Sequence, residues 1–132
     1  MSQKLNCILL VDDNDADNFF HKLVISELHV VDNIQVAETG LEAINYLKKE
    51  NAIIPQLIFL DINMPRMNGW EFLEEYKDLA PAQKAKIVII MLTTSVNPED
   101  KEHAEKIKEV NGFETKPLTT EKLNGILAQY FP

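Results

Sequence analysis

A chain of 132 residues is the size of one compact domain, and at 45% apolar content it can bury a core without staples. Twenty-one acidic against thirteen basic residues give a formal charge of −8, with no basic stripe, which argues against binding nucleic acid or anionic lipid. No stretch approaches the ~20 apolar residues that span a bilayer, the N-terminal segment lacks a signal-type core, and the single cysteine, Cys7, cannot pair within the chain; a cytoplasmic protein without a second domain is expected.

The chain opens on an apolar run, Cys7 to Val11 (CILLV), that ends in Asp12 and Asp13. A helical pattern follows Asn14 and Asp15, with Phe20, Leu23, Val24 and Leu28 on one face. Ile34 to Ala37 is short and alternating. Thr39-Gly40-Leu41-Glu42 has the form of a capping box, and Leu41, Ile44 and Leu47 supply the apolar stripe behind it. Leu57 to Leu60 (LIFL) is continuously apolar and stops at Asp61. A helix starts near Asn68 and draws its buried residues from Trp70, Leu73 and Tyr76. Ile87 to Leu92 (IVIIML) runs into Thr93, Thr94 and Ser95. Asn97-Pro98-Glu99-Asp100 then offers a cap, a proline at the first helical position and two acids at the positive end of the dipole. From Glu99 to Glu109 the only apolar residues are Ala104 and Ile107, so this helix should be weakly anchored and a candidate for movement. Gly112 to Thr115 (GFET) is short and mixed, Lys116-Pro117 comes next, and a last helix from Thr119 carries Leu123, Ile126, Leu127 and Tyr130.

Apolar runs alternating with helices point to an α/β domain with a parallel sheet. The first, third and fourth runs are apolar throughout, as strands covered on both faces must be. The second and fifth are mixed and read as edges. A flavodoxin-like (βα)5 fold, a doubly wound three-layer sandwich with five parallel strands ordered 2-1-3-4-5, satisfies that pattern with right-handed crossovers.

Ligands of open α/β sheets bind at the carboxyl ends of strands where the strand order reverses. With this order that point lies between the first and third strands, so Asp12, Asp13 and Asp61 should converge there, with Thr93, Thr94, Ser95 and Lys116 on the same edge. At an effective dielectric near 20, two carboxylates ~4 Å apart repel by about 4 kcal/mol. A bound cation or shifted pKa values must relieve that repulsion. Oxygen-only donors favour Mg²⁺, the usual companion of a transferring phosphoryl group.

The segments CILLVDDND, LIFLDINMPRMNGWEFL, IVIIMLTTS and GFETKPLT, in this order and spacing, resemble the CheY-like receiver domain of two-component response regulators over roughly Leu5 to Phe131. The resemblance implies that Asp61 accepts a phosphoryl group from a sensor histidine kinase or histidine phosphotransfer protein. It implies that Asp13, Asp61 and the backbone carbonyl of Asn63 bind Mg²⁺ directly (Mn²⁺ able to substitute), with Asp12 acting mainly through water. Lys116 would pair with the phosphoryl group and Thr93 would hydrogen-bond to it. Phe113 would rotate inward on activation, and the Lys116–Pro117 bond would be cis. Asn63 and Ser95 occupy positions that tune aspartyl-phosphate lifetime. Thr94 stands where the family usually has a smaller residue, which would restrict access. His21, His29 and His103 match no motif position.

The resemblance further implies a stand-alone signalling switch rather than an enzyme. Phosphorylation would reshape the face formed by the fourth helix, fifth strand and fifth helix of this reading, for an unidentified protein target or onward relay. A monomer, or a weak dimer formed on phosphorylation, is expected. Two rivals compete: a pseudo-receiver that binds partners without phosphorylation, and a haloacid-dehalogenase-like phosphatase built on Asp13-Asn14-Asp15.

Overall fold

The computed structural model describes residues 4–84 and 87–132. Its elements are β1 (Leu5–Val11), α1 (Asp15–Glu27), β2 (Val31–Ala37), α2 (Gly40–Lys48), β3 (Leu57–Leu60), α3 (Gly69–Lys77), α4 (Pro81–Lys84), β4 (Val88–Thr93), α5 (Pro98–Glu105), β5 (Val110–Thr115) and α6 (Thr120–Tyr130). The five strands pair in parallel in the order β2-β1-β3-β4-β5, the flavodoxin-like arrangement expected from the sequence.

The strand period of two divides the core into halves. Leu9, Val11, Ile58, Leu60, Ile89 and Met91 point to one face, where they meet Ile44 and Leu47 of α2, Phe72, Leu73 and Tyr76 of α3, and Ala104 of α5. Ile8, Leu10, Leu57, Phe59, Ile90 and Leu92 point to the other, against Val24 and Ile25 of α1 and Leu123, Ile126 and Leu127 of α6. Each such side chain, fully buried, contributes about 1.5–3 kcal/mol. Residues of β3 are buried without exception, whereas β2 and β5 are mostly half-exposed, so the division into central and edge strands holds. Cys7 is fully buried in β1.

The helices start where their caps dictate. Asn14, Thr39, Asn68, Asn97 and Thr119 each accept a hydrogen bond from a backbone amide of the first turn, and Asn68 with Glu71 completes a capping box.

Two expectations need correction, and one element was not expected. On α1, Phe20 and Leu23 face solvent at 45% and 47% exposure, and the inward face is Asn18, His21, Val24 and Ile25. The inversion has a physical cause: the Asn18 amide donates to the Asp12 carbonyl at 2.9 Å, so polar residues at the top of the helix are drawn inward. On α2, Leu41 is 49% exposed while Gly40 and Ala43 are buried, because the inward face needs small residues there; a Cβ on Gly40 would lie 2.7 Å from the Met67 side chain. The short helix α4 has no counterpart in the sequence pattern, since four residues are too few for a period to show.

Candidate functional site

The site is held by backbone bonds just past the strand ends. The amide of Asp12 donates to the Ala37 carbonyl at 3.0 Å, that of Asp61 to Val11 at 3.0 Å, and that of Lys116 to Thr93 at 2.8 Å. These bonds continue the sheet ladder by one residue and fix the origin of each functional side chain. Behind Asp61, α3 begins at Gly69, whose amide donates to Ile62 at 2.8 Å. A Cβ on Gly69 would stand 2.5 Å from the Asp61 carbonyl oxygen, so only glycine permits this approach.

Asp12, Asp13 and Asp61 come together as their spacing implied: one carboxylate oxygen of each lies within 4.8 Å of the others. Asp12 and Asp61 are buried and Asp13 is exposed at the rim. Lys116 reaches the same pocket rather than solvent. Its Nζ lies 2.6 Å from Asp12 Oδ2, 2.8 Å from Asp17 Oδ2 and 3.8 Å from Asp61 Oδ2.

Among the described residues, four carboxylates against one ammonium leave the pocket strongly negative. Burial, and then the charge of Asp12, push the Asp61 carboxyl up to about 6 against the opposing pull of Lys116. For Lys116, burial disfavours the ammonium, but the hydrogen bonds to Asp12 and Asp17 and the charges of Asp61 and Asp12 outweigh it and raise its pKa. This unbalanced, all-oxygen cluster fits a hard divalent cation, which would remove the repulsion that strains Asp61.

The remaining predicted residues surround that centre. Thr93 is fully buried, and its hydroxyl accepts from the Ser95 amide at 3.2 Å. The Ser95 hydroxyl in turn donates to Asp100 of α5. Thr94 and Asn63 are exposed. Phe113 is half-buried in β5 and lines a groove of about 290 Å³ with Ser95, Pro98, Lys101 and Thr115. The Lys116–Pro117 peptide is cis.

Asp17, Asn18 and His21 are the residues that sequence reading missed. His21 is 2% exposed and lines, with Asp12, Asn18 and Asp61, a void of about 10 Å³ beneath the site. Burial first, and then the nearby Lys116 charge, lower its pKa, so the imidazole is held neutral. The available signal was the cap: a helix opening at Asn14 puts Asp17 and His21 one turn apart, on the side from which Asp12 is approached.

The response regulator receiver domain model matches residues 8–128. The chain belongs to that family of two-component signalling proteins. It resembles a two-component response regulator from Cytophaga hutchinsonii, at 35% identity and a TM-score of 0.88, covering 97% of this chain and 98% of that one. The phosphorylated cyanobacterial phytochrome response regulator RcpA aligns at 32% identity, a TM-score of 0.78 and coverages of 95% and 93%. The Mn²⁺-bound form of the response regulator Rcp1 aligns at 30%, 0.73, 94% and 90%. In sequence, Rcp1 of Synechocystis is 34% identical over 97 residues, covering 70% of this chain, which spans 65% of the length of Rcp1.

Proposed function

We propose that this receiver is a phosphorylation-driven switch that accepts a phosphoryl group on Asp61. The observation that carries the reading is the meeting of Asp61 with Asp12, Asp13 and Lys116 at the carboxyl edge of β1 and β3. That RcpA has been obtained phosphorylated and Rcp1 with Mn²⁺ supports it.

Asp12, Asp13, Asp61 and the backbone carbonyl of Asn63 would hold Mg²⁺, with Mn²⁺ as a substitute. When bound, the cation neutralises charge developing on the transferring phosphoryl group. An Asp61 carboxylate oxygen attacks the phosphorus of a phosphohistidine on a sensor kinase or phosphotransfer protein. The new O–P bond forms as the P–N bond breaks, and the imidazole leaves with its electron pair. Lys116 supplies a fixed positive charge to the phosphoryl oxygens, and the Thr93 hydroxyl donates to one of them.

The consequence is a shift between two packings. When Thr93 turns toward the phosphoryl group, its hydroxyl leaves the Ser95 amide, which loosens the Thr93–Ser95–Asp100 chain that ties β4 to α5. Phe113, on the groove beside that chain, is the side chain placed to fill the vacated space. The face of α5, β5 and α6 then presents a changed surface to a protein target or to the next member of a relay. The chain works as a cytoplasmic signalling switch whose only chemistry is on itself.

Intact-mass measurement after incubation with acetyl phosphate and Mg²⁺ tests this. One acid- and hydroxylamine-labile phosphoryl addition is expected, absent in Asp61→Asn and absent without Mg²⁺. A folded protein that neither gains the group nor engages beryllofluoride at Asp61 refutes the reading.

A further inference from the structure

Asp17 belongs to none of the segments that announce the site, yet it holds the site's lysine more closely than Asp61 does. Its Oδ2 accepts from Lys116 Nζ at 2.8 Å, against 3.8 Å from Nζ to Asp61 Oδ2. The contact is anchored on both sides. The Asp17 amide is fixed to the Asn14 cap at 3.0 Å, and the Lys116 amide is fixed to Thr93. An ammonium has three protons, and Asp12 and Asp17 together occupy two of them. Lys116 is 8% exposed in its side chain and Asp17 35%, so this ion pair is only partly screened.

A phosphoryl group on Asp61 would bring up to three anionic oxygens to the same ammonium. Asp12 is committed to the pocket floor, with its other oxygen accepting from the Asn14 amide at 3.0 Å. Asp17 stands at the edge, on the α1 side, and competes for Lys116 from outside the acid cluster.

We propose that Asp17 is a positioning residue: it holds Lys116 in a resting place beside α1 and sets, by competition, how strongly the lysine engages a phosphoryl group on Asp61. The proposal rests on Asp61 being the acceptor. It makes α1 a tuning element for a site otherwise built from strand ends. Releasing Lys116 from Asp17 tightens the phosphorylated state, and holding it there weakens that state.

The test is a double-mutant cycle read by beryllofluoride affinity at saturating Mg²⁺, using wild type, Asp17→Asn, Lys116→Met and the double variant. Asp17→Asn should tighten beryllofluoride binding about three- to tenfold, the size of a partly exposed ion pair. The same substitution in the Lys116→Met background should change it less than about twofold. An equal gain in both backgrounds overturns the proposal, because Asp17 would then act only through its charge. No gain in either background also overturns it. In a second measurement that needs no lysine variant, the Lys116 ammonium resonance should show slow proton exchange in wild type and fast exchange in Asp17→Asn; identical spectra would refute the contact in solution. A wild type that binds beryllofluoride no better than Asp61→Asn fails earlier, and removes the acceptor reading itself.

Discussion

Lys116 Nζ is bonded to Asp12 at 2.6 Å and stands 3.8 Å from Asp61, so the pocket's cation rests on the neighbour of the proposed acceptor rather than on the acceptor. Removing it leaves buried carboxylates facing one another. Lys116→Ala in metal-free buffer should lose about 3–5 kcal/mol in urea denaturation, as expected for breaking a buried pair. Millimolar Mg²⁺ should restore part of that loss, since it replaces the missing positive charge. Equal losses with and without Mg²⁺ would show that these acids do not bind it.

Asp61 opposes folding once it ionises. Its folded pKa is raised from 3.8 to about 6, so its stability contribution is complete below the unfolded value and is lost as pH rises through the folded one. In metal-free buffer, Asp61→Asn should match wild type near pH 4, pull ahead between pH 4 and 6, and level off at an advantage of up to about 3 kcal/mol. Denaturation across that range measures it; an advantage independent of pH would contradict the assigned cause.

His21 has the opposite slope. Because its pKa is lowered in the fold, the neutral imidazole is favoured, and its contribution is present above the unfolded value near 6.5 and is lost on acidification. Replacing it with the non-titrating residue in His21→Gln should flatten the acid side of the stability profile below that pH. The check is the profile's slope, which a simple packing defect would shift without flattening.

Gly69→Ala should cost about 1–3 kcal/mol, because the new methyl meets the backbone of Asp61 rather than a side chain that can move. Thermal melting reads the cost. Since the strain falls on Asp61 itself, phosphorylation by acetyl phosphate should slow in the same variant, whereas a Gly125→Ala control, exposed within α6 with nothing within 4 Å of its Cβ, should leave phosphorylation unchanged and gain up to about 1 kcal/mol in the melt from helix propensity.

Hydrogen exchange should be faster in α5 than in α6. Only Ala104 is buried on α5, against Leu123, Ile126 and Leu127 on α6. Two further contacts tie α5 down: the stack of His103 on Trp70, with ring centroids 4.0 Å apart, and the Ser95–Asp100 hydrogen bond. Comparable protection in the two helices would remove α5 as the mobile element.

The architecture was legible because its signals are local. Uninterrupted runs such as LIFL announce strands covered on both faces, and an acid at the end of each of the first and third runs announces the functional edge. Which face of α1 turns inward was not legible, because hydrophobicity placed Phe20 and Leu23 inside, whereas the hydrogen bond from Asn18 to the Asp12 backbone decided otherwise. The acid cluster followed from strand order. The partnership of Asp17 with Lys116 did not: the Asn14 cap sets the side of α1 on which Asp17 lies, but a linear pattern does not tell an acid that serves the helix dipole from one whose carboxylate reaches across to another element.

The bond between Lys116 and Asp12 spans 104 positions of sequence. In chain order the carboxylates just past β1 and β3 come well before the charge that balances them, which follows β5. Closing so long a loop is slow relative to local structure. The charge balance of the site is thus coupled to completion of the sheet: until β5 is in place, the acids beyond β1 and β3 lack the lysine that faces them.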